Sequence, residues 1–281
     1  MMMCRSTAYT LPAFLREAQA VYTDPMTLRL ASWNVRGMPQ AQQQLALLAE
    51  QHADVIFLQD VSLPGLRALA DSGLCSNLRE APLPQASVRR GRCLVAARGW
   101  TLQALPLPAG LTGGCASVQA TCRTHVLTLL SCYAPTNTAP GRTLRASYFT
   151  ALAAFLRTCP PPVLLGMDAN GPRVDHPDPA RCVWWNAEES LVLGPGSVTC
   201  DTLRLWYDAH PSALQRRARY YPGGPLADSY HRGRAGRYLR CRYDSIRVSP
   251  GIAVADVRYL YREAVLAGSD HALVTADVEV A

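Results

Sequence analysis

The chain has 281 residues, 49% of them hydrophobic and 17% charged, which allows one large domain or two small ones with a sizeable core and argues against disorder. No apolar run approaches the roughly 18 residues that cross a bilayer, and the N-terminus lacks the features of a secretory signal, so a cytoplasmic protein without a membrane or an obligate protein partner is expected. The formal net charge is +7 and all 28 basic residues are arginine; this suits a polyanionic partner such as nucleic acid, and a GC-rich coding sequence would produce the same bias.

Residues 1–26 read as an N-terminal extension ahead of a start at Met26, or as an ordinary helix over LPAFLREAQAVY. From residue 27 strand and helix alternate. TLRLASWNV (27–35) puts Leu28, Leu30, Ser32 and Asn34 on one face of a strand. AQQQLALLAEQH (41–52) predicts a helix, DVIFLQD (54–60) a buried strand, and SLPGLRALADSG (62–73) a short helix closed by Gly73. RCLVAARG, WTLQALPL, CASVQATC and HVLTLLSCY predict four strands paired antiparallel in succession. TLRASYFTALAAFLRTC (143–159) predicts an amphipathic helix stopped by three prolines, and VLLGM the next buried strand. Residues 171–226 are rich in turn signals, with a helix over 211–221. Strands over 243–250, 252–261 and 271–281 close one layered α/β domain spanning 27–281. Ten cysteines are scattered without a CxxC pair, which predicts reduced core thiols rather than disulfides or a zinc site.

Apolar strands here repeatedly end in polar residues. TLRLASWNV carries Asn34, and VIFLQD ends in Asp60. LTLLSCYAPTN holds Tyr133 and Asn137. VLLGMDAN ends in Asp168 and Asn170, which share a face if the strand geometry persists. CRYDSIRVS opens at Asp244, and SDHALV at Asp270 and His271. Singly, each has an ordinary explanation: turn formation for Asn34, Asp168 and Asn170, helix capping for Asp60, an interior hydrogen bond for His271. Together, a pocket of Asp, Asn and His on core strand ends is costly to desolvate, and metal binding and acid–base chemistry are recurring uses of one.

The series ASWNVRG, FLQD, SCYAPTN, GMDAN, RYDSIRVS and SDHALV, in this order, resembles the endonuclease/exonuclease/phosphatase superfamily. That group includes exonuclease III-type and deoxyribonuclease I-like nucleases, sphingomyelinases and inositol polyphosphate phosphatases. LADSYHRG (226–233) resembles the family's L-x-D-x-aromatic segment, and residues 174–194 resemble a bacterial-type branch. The resemblance, over about 28–280, implies a four-layer α/β sandwich, two mixed β-sheets face to face with helices outside. It also implies hydrolysis of a phosphoester with Mg²⁺ (or Mn²⁺). Carried over, Asp60 would hold the ion with Asn34 and Asp270 as further contacts. Asp168 would orient or deprotonate the attacking water, and Asn170 and Tyr133 would bond the phosphate. His271 would donate to a phosphoryl oxygen, fixed by Asp244. Hard Mg²⁺ prefers such oxygen ligands. Where the family usually has Glu after FLQ this chain has Asp60, one methylene shorter, a departure that bears on metal affinity more than on the reaction class and makes Mn²⁺ the expected better activator.

Arg232, Arg234, Arg237, Arg240 and Arg242 crowd ahead of Asp244, interleaved with tyrosines. Arg240, Arg242 and Asn137 are candidate phosphate contacts, and the same run reads equally as a solvated arginine-rich loop. Trp184, Trp185 and Trp206 could wedge against bases or pack a loop. A nuclease acting on DNA or RNA is the leading reading. A phosphatase or phosphodiesterase for a small or lipid-linked phosphoester is the alternative, and a non-catalytic binding protein the third.

Overall fold

A computed structural model describes residues 25–81, 92–138, 141–234 and 237–280. The extension expected over 1–26 lies outside them except at its end, where Met26 already begins a strand. The strands are β1 (Met26–Asn34), β2 (Val55–Val61), β3 (Asn77–Glu80), β4 (Arg92–Ala97), β5 (Thr101–Ala104), β6 (Cys115–Cys122), β7 (His125–Tyr133), β8 (Val163–Asp168), β9 (Cys200–Asp201), β10 (Tyr230–Arg234), β11 (Arg237–Cys241), β12 (Asp244–Val248), β13 (Ala253–Leu260) and β14 (Leu273–Val280). The α-helices are α1 (Ala41–Glu50), α2 (Leu63–Asp71), α3 (Gly141–Thr158), α4 (Ser190–Leu193), α5 (Thr202–Ala209), α6 (Pro211–Tyr220) and α7 (Tyr261–Leu266).

Two six-stranded sheets form, of order β13-β14-β1-β2-β4-β3 and β5-β6-β7-β8-β12-β9, with β10-β11 as a separate ribbon. Both sheets are mixed, because β1–β2 and β7–β8 are parallel and the other pairs antiparallel. The period-2 pattern of β1 explains the layering. Leu28 and Leu30 enter the core between the sheets with Phe57, Leu129, Leu164 and Ile246. Ala31 and Trp33 point the other way, onto α1, α2 and α7 through Leu48, Leu69 and Ala264. On the outer face of the second sheet, α3 packs Phe149 and Leu152 against Leu130, Leu165 and Met167. This is the expected four-layer α/β sandwich. Gly166 lets the sheets close, since a Cβ there would collide with the Phe57 side chain.

Three expectations are corrected. The four strands after residue 91 are not one antiparallel succession: β4 pairs with β2 and β3, whereas β5, β6 and β7 pair in the other sheet. The crossing follows Gly99, whose φ of 76 turns the chain before Trp100 enters the core. The arginine-rich segment before Asp244 is a hairpin and not a loop. Residues 171–226 hold α4 and α5 besides the expected helix, α6; α5 is started by Asp201, whose side chain accepts from the Leu203 and Arg204 amides as N-caps do. Among the described residues every cysteine is free and no helix is long and apolar enough to cross a membrane.

Candidate catalytic centre

The inner faces of the central strands turn from apolar to polar toward one end. Leu28 and Leu30 give way to Ser32 and Asn34, Leu127 and Leu129 to Ser131 and Tyr133, and Leu164 to Asp168. Gln59 spans this transition between the sheets: its Nε2 donates to Ser131 Oγ at 3.0 Å and lies 3.4 Å from Ser32 Oγ.

At that end Asp168 is fully buried and directly opposite Asp244 in the β8–β12 ladder. Two facing carboxylates would repel. His271 lies between them, its Nδ1 2.9 Å from Asp244 Oδ2 and 3.8 Å from Asp168 Oδ2. Asn34 Nδ2 donates to Asp168 Oδ2 at 2.8 Å, and the Asn170 amide donates to Asp168 Oδ1 at 2.8 Å. Asn170 departs from the expected strand face. β8 ends at Asp168, and Asn170 takes a left-handed φ of 48. Its side chain therefore donates to the Ala134 carbonyl at 2.9 Å while its backbone serves Asp168.

Burial pushes the Asp168 carboxyl up, Asp244 adds to this and His271 opposes it, leaving a pKa of about 6. Burial would push His271 down, but the Asp244 and Asp168 carboxylates overcome it and raise it to about 10. The pair is a carboxylate poised near neutrality beside a standing imidazolium. Burial and the neighbouring Asp168 and Asp60 carboxylates raise the Tyr133 phenol, keeping it a neutral donor.

Asp60 reaches the same centre by a different device. Strict alternation would turn it away from Gln59's face. Instead the β2–β4 register slips between Leu58 and Val61, and Asp60 has a φ of 52; a bulge re-aims a side chain in this way. Its carboxyl is half-buried, and burial and Asp270 raise its pKa while His271 lowers it. Among the described residues nothing donates a hydrogen bond to this carboxylate. Asp270 lies beside it, its carboxylate 4.0 Å from the exposed Arg36. Asn34 Oδ1 accepts from the Arg36 amide at 3.0 Å, and among the described residues neither has a further partner for these oxygens. Two under-compensated carboxylates and an amide oxygen make an all-oxygen donor set fit for a hard divalent ion. Asp168, Asp244 and His271 are also close enough to ligate one ion, their candidate atoms lying within 4.8 Å of one another. Their imidazole is protonated and committed to Asp244, so it would have to lose a proton first, and the oxygen set around Asp60 fits better.

Two predicted phosphate contacts are engaged with other groups. Arg242 is 5% exposed, and its guanidinium is spent on Asp175 at 2.7 Å, Asp201 at 2.8 Å and Tyr259 at 3.2 Å. This corrects its reading as a phosphate contact, because a guanidinium so paired inside the fold has no face left for substrate. Arg240 is exposed but bound to Asp228 at 2.7 Å and Tyr221 at 2.9 Å. Asn137 is half-buried in the loop after β7 and makes no hydrogen bond among the described residues. The side chains of Arg234, Arg237 and Tyr238 lie outside the described residues.

Other residues build the centre without having been singled out for it. Ser229 Oγ accepts from the Tyr243 and Asp244 amides at 2.8 and 3.1 Å, setting the start of β12. Ser269 Oγ donates to the Asn34 carbonyl at 2.6 Å and accepts from the His271 amide at 3.1 Å. Tyr230 stacks on Tyr243 and packs its ring 4.8 Å from the imidazole of His271. Ser229 and Tyr230 lie in LADSYHRG, so that segment held the signal; Ser269 was visible only as the neighbour of Asp270 and His271.

The sequence model of the Endonuclease/Exonuclease/phosphatase family matches residues 31–281. No curated protein sequence matches the chain. Among solved structures, zebrafish (D. rerio) TDP2 complexed with single-strand DNA product superposes with a TM-score of 0.66 at 16% identity, over 90% of this chain and 99% of that one. A Bacteroides thetaiotaomicron endonuclease/exonuclease/phosphatase family protein gives 0.61 at 15% identity, over 92% and 100%. The human Nocturnin catalytic domain with bound sulfate gives 0.63 at 13% identity, over 91% and 96%. At such identities these likenesses establish the shared fold.

Proposed function

The chain belongs to the endonuclease/exonuclease/phosphatase family, and we propose that it is a divalent-metal-dependent phosphodiester hydrolase acting on nucleic acid. The observation that carries the reading is the buried Asp168–His271–Asp244 cluster, with Asn34 and the Asn170 amide fixing the Asp168 carboxylate. Family members hydrolyse phosphoesters, and the +7 net charge favours a polyanionic substrate.

In this reading Asp168 is the general base. A pKa of about 6 leaves it ionised above neutrality yet basic enough to take a proton from water. Its two hydrogen bonds set the direction in which it accepts. His271, with Nδ1 on Asp244, offers Nε2–H to a phosphoryl oxygen as a cation, and the neutral Tyr133 phenol offers a second donor. Asp60, with Asn34 Oδ1 and Asp270, would hold the ion, which would supply Lewis-acid stabilisation of the developing negative charge.

The test is hydrolysis of plasmid DNA, an abasic-site duplex, single-stranded RNA and bis-p-nitrophenyl phosphate under Mg²⁺, Mn²⁺ or EDTA. We expect metal-dependent cleavage of a nucleic acid, faster with Mn²⁺ because Asp60 is short. Turnover of the small ester alone would move the assignment to a phosphatase of small phosphoesters. A salt-sensitive gel shift without turnover would favour a binding protein.

A further inference from the structure

Next to the catalytic cluster stands an indole whose surroundings the hydrolytic reading leaves unused. Trp185 is held at both ends: its amide donates to Glu189 Oε2 at 3.2 Å, and its Nε1 donates to the Asn170 carbonyl at 3.2 Å. Glu189 is itself fixed by a fully buried ion pair with Arg145 at 2.6 Å. The ring is therefore anchored one residue's backbone away from the group that orients Asp168.

Two exposed guanidiniums converge on this ring, Arg173 at 5.8 Å and Arg232 at 5.9 Å from its centroid. They come from separate segments of the chain. Arg173 follows the GMDANG turn, and Arg232 comes from β10, two residues after the Tyr230 that packs on His271. Neighbouring arginines spend their charge on carboxylates: Arg204 and Arg242 on Asp175, Arg217 and Arg240 on Asp228. Among the described residues Arg173 and Arg232 have no carboxylate partner. Two exposed guanidiniums beside one ring, neither paired to a carboxylate among the described residues, are free to make charge-assisted hydrogen bonds to an anion.

We propose that Trp185, Arg173 and Arg232 form a subsite for a second phosphate, one step along the chain from the phosphate being cleaved. The substrate is then a run of phosphodiesters, an oligonucleotide strand, rather than an isolated phosphoester. Arg173 and Arg232 grip the flanking phosphate, and the anchored indole keeps their bases in place. This rests on the hydrolytic assignment above.

The experiment compares wild type with Arg173→Gln, Arg232→Gln and the double variant on two substrates, a fluorescent oligo-dT decamer and bis-p-nitrophenyl phosphate, which carries one phosphate. The readout is the ratio of kcat/KM for the decamer to that for the small ester, which corrects for any damage to the centre itself. We expect the ratio to fall about tenfold in each single variant, mainly through KM. In parallel, anisotropy of the decamer in EDTA gives the slope of log Kd against log salt. It should lose about 0.7 in the double variant, the value for one single-strand phosphate contact, and a part of that in each single variant. An unchanged ratio with an unchanged salt slope would overturn the proposal. So would a small bisphosphate preferred over the decamer with the same dependence on both arginines. If wild type hydrolyses neither substrate, the hydrolytic assignment fails, and the salt slope still decides the subsite.

Discussion

Asp168 and His271 set opposite pH dependences, and the signs follow from their environments. Asp168 is held at about 6, above the ordinary carboxyl value of about 3.9. Its charged form therefore destabilises the fold, and stability rises as pH falls from 6 toward 4. His271 is raised to about 10, above its ordinary value of about 6.5; its stabilisation is full below 6.5 and is lost as pH rises through 10. Activity should rise with pH through about 6 and hold until about 10, a window read from kcat/KM against pH on bis-p-nitrophenyl phosphate. Asp168→Asn should lower kcat by about 10²–10⁴-fold, the usual worth of a general base. Thermal melting at pH 8 should show the variant at least as stable as wild type, because it removes a charge the fold disfavours. At this scale the sequence exposed the carboxylates, amides and histidine at strand ends, since such residues are costly to bury there. It hid Arg242, because an arginine in an exposed-looking run gives no sign of the two aspartates, 41 and 67 residues away, that bury it.

Between elements, the centre depends on turns rather than on strand faces. Among the described residues six non-glycine residues have positive φ, and Arg36, Asp60 and Asn170 of these flank the site, where left-handed backbone is tolerated because the setting fixes it. This is why alternation alone misplaced Asn170 and gave no account of Asp60: neither a bulge nor a left-handed turn is written in hydrophobic period. The β10–β11 ribbon was missed for a related reason. Its residues form no period-2 apolar face, and its pairing is local. The loop carrying Asn170 is buttressed by the Arg145–Glu189 pair, both partners fully buried. Arg145→Met, which leaves Glu189 charged and alone, should cost about 3–5 kcal/mol in urea unfolding; Arg145→Met combined with Glu189→Leu should recover most of it. Arg242→Met should likewise fall in stability, by a similar amount, without a specific rise in KM for the decamer, because its charge is spent on Asp175 and Asp201.

Across the whole molecule, two sheets meet over an apolar core that becomes polar at one end, and the groups proposed to react come from both. Asn34, Asp60 and His271 belong to the first sheet's strands and their ends, Tyr133, Asp168 and Asp244 to the second. Sheet separation therefore sets the geometry of the site. Gly166→Ala would press on Phe57 and should cost about 1–3 kcal/mol while lowering kcat, measured by paired urea unfolding and turnover. This architecture was legible because strand order and the six terminal motifs recur in sequence along the chain. The assignment of β4 and β5 to different sheets was not, since consecutive strands read alike whether they pair or cross. The most direct test of the catalytic centre is p-nitrophenol release from bis-p-nitrophenyl phosphate at pH 8 with saturating Mn²⁺, by wild type and Asp168→Asn. The account predicts wild-type turnover abolished by EDTA and reduced at least 10²-fold in the variant. Equal turnover by both proteins, or wild-type turnover indifferent to EDTA, would contradict it.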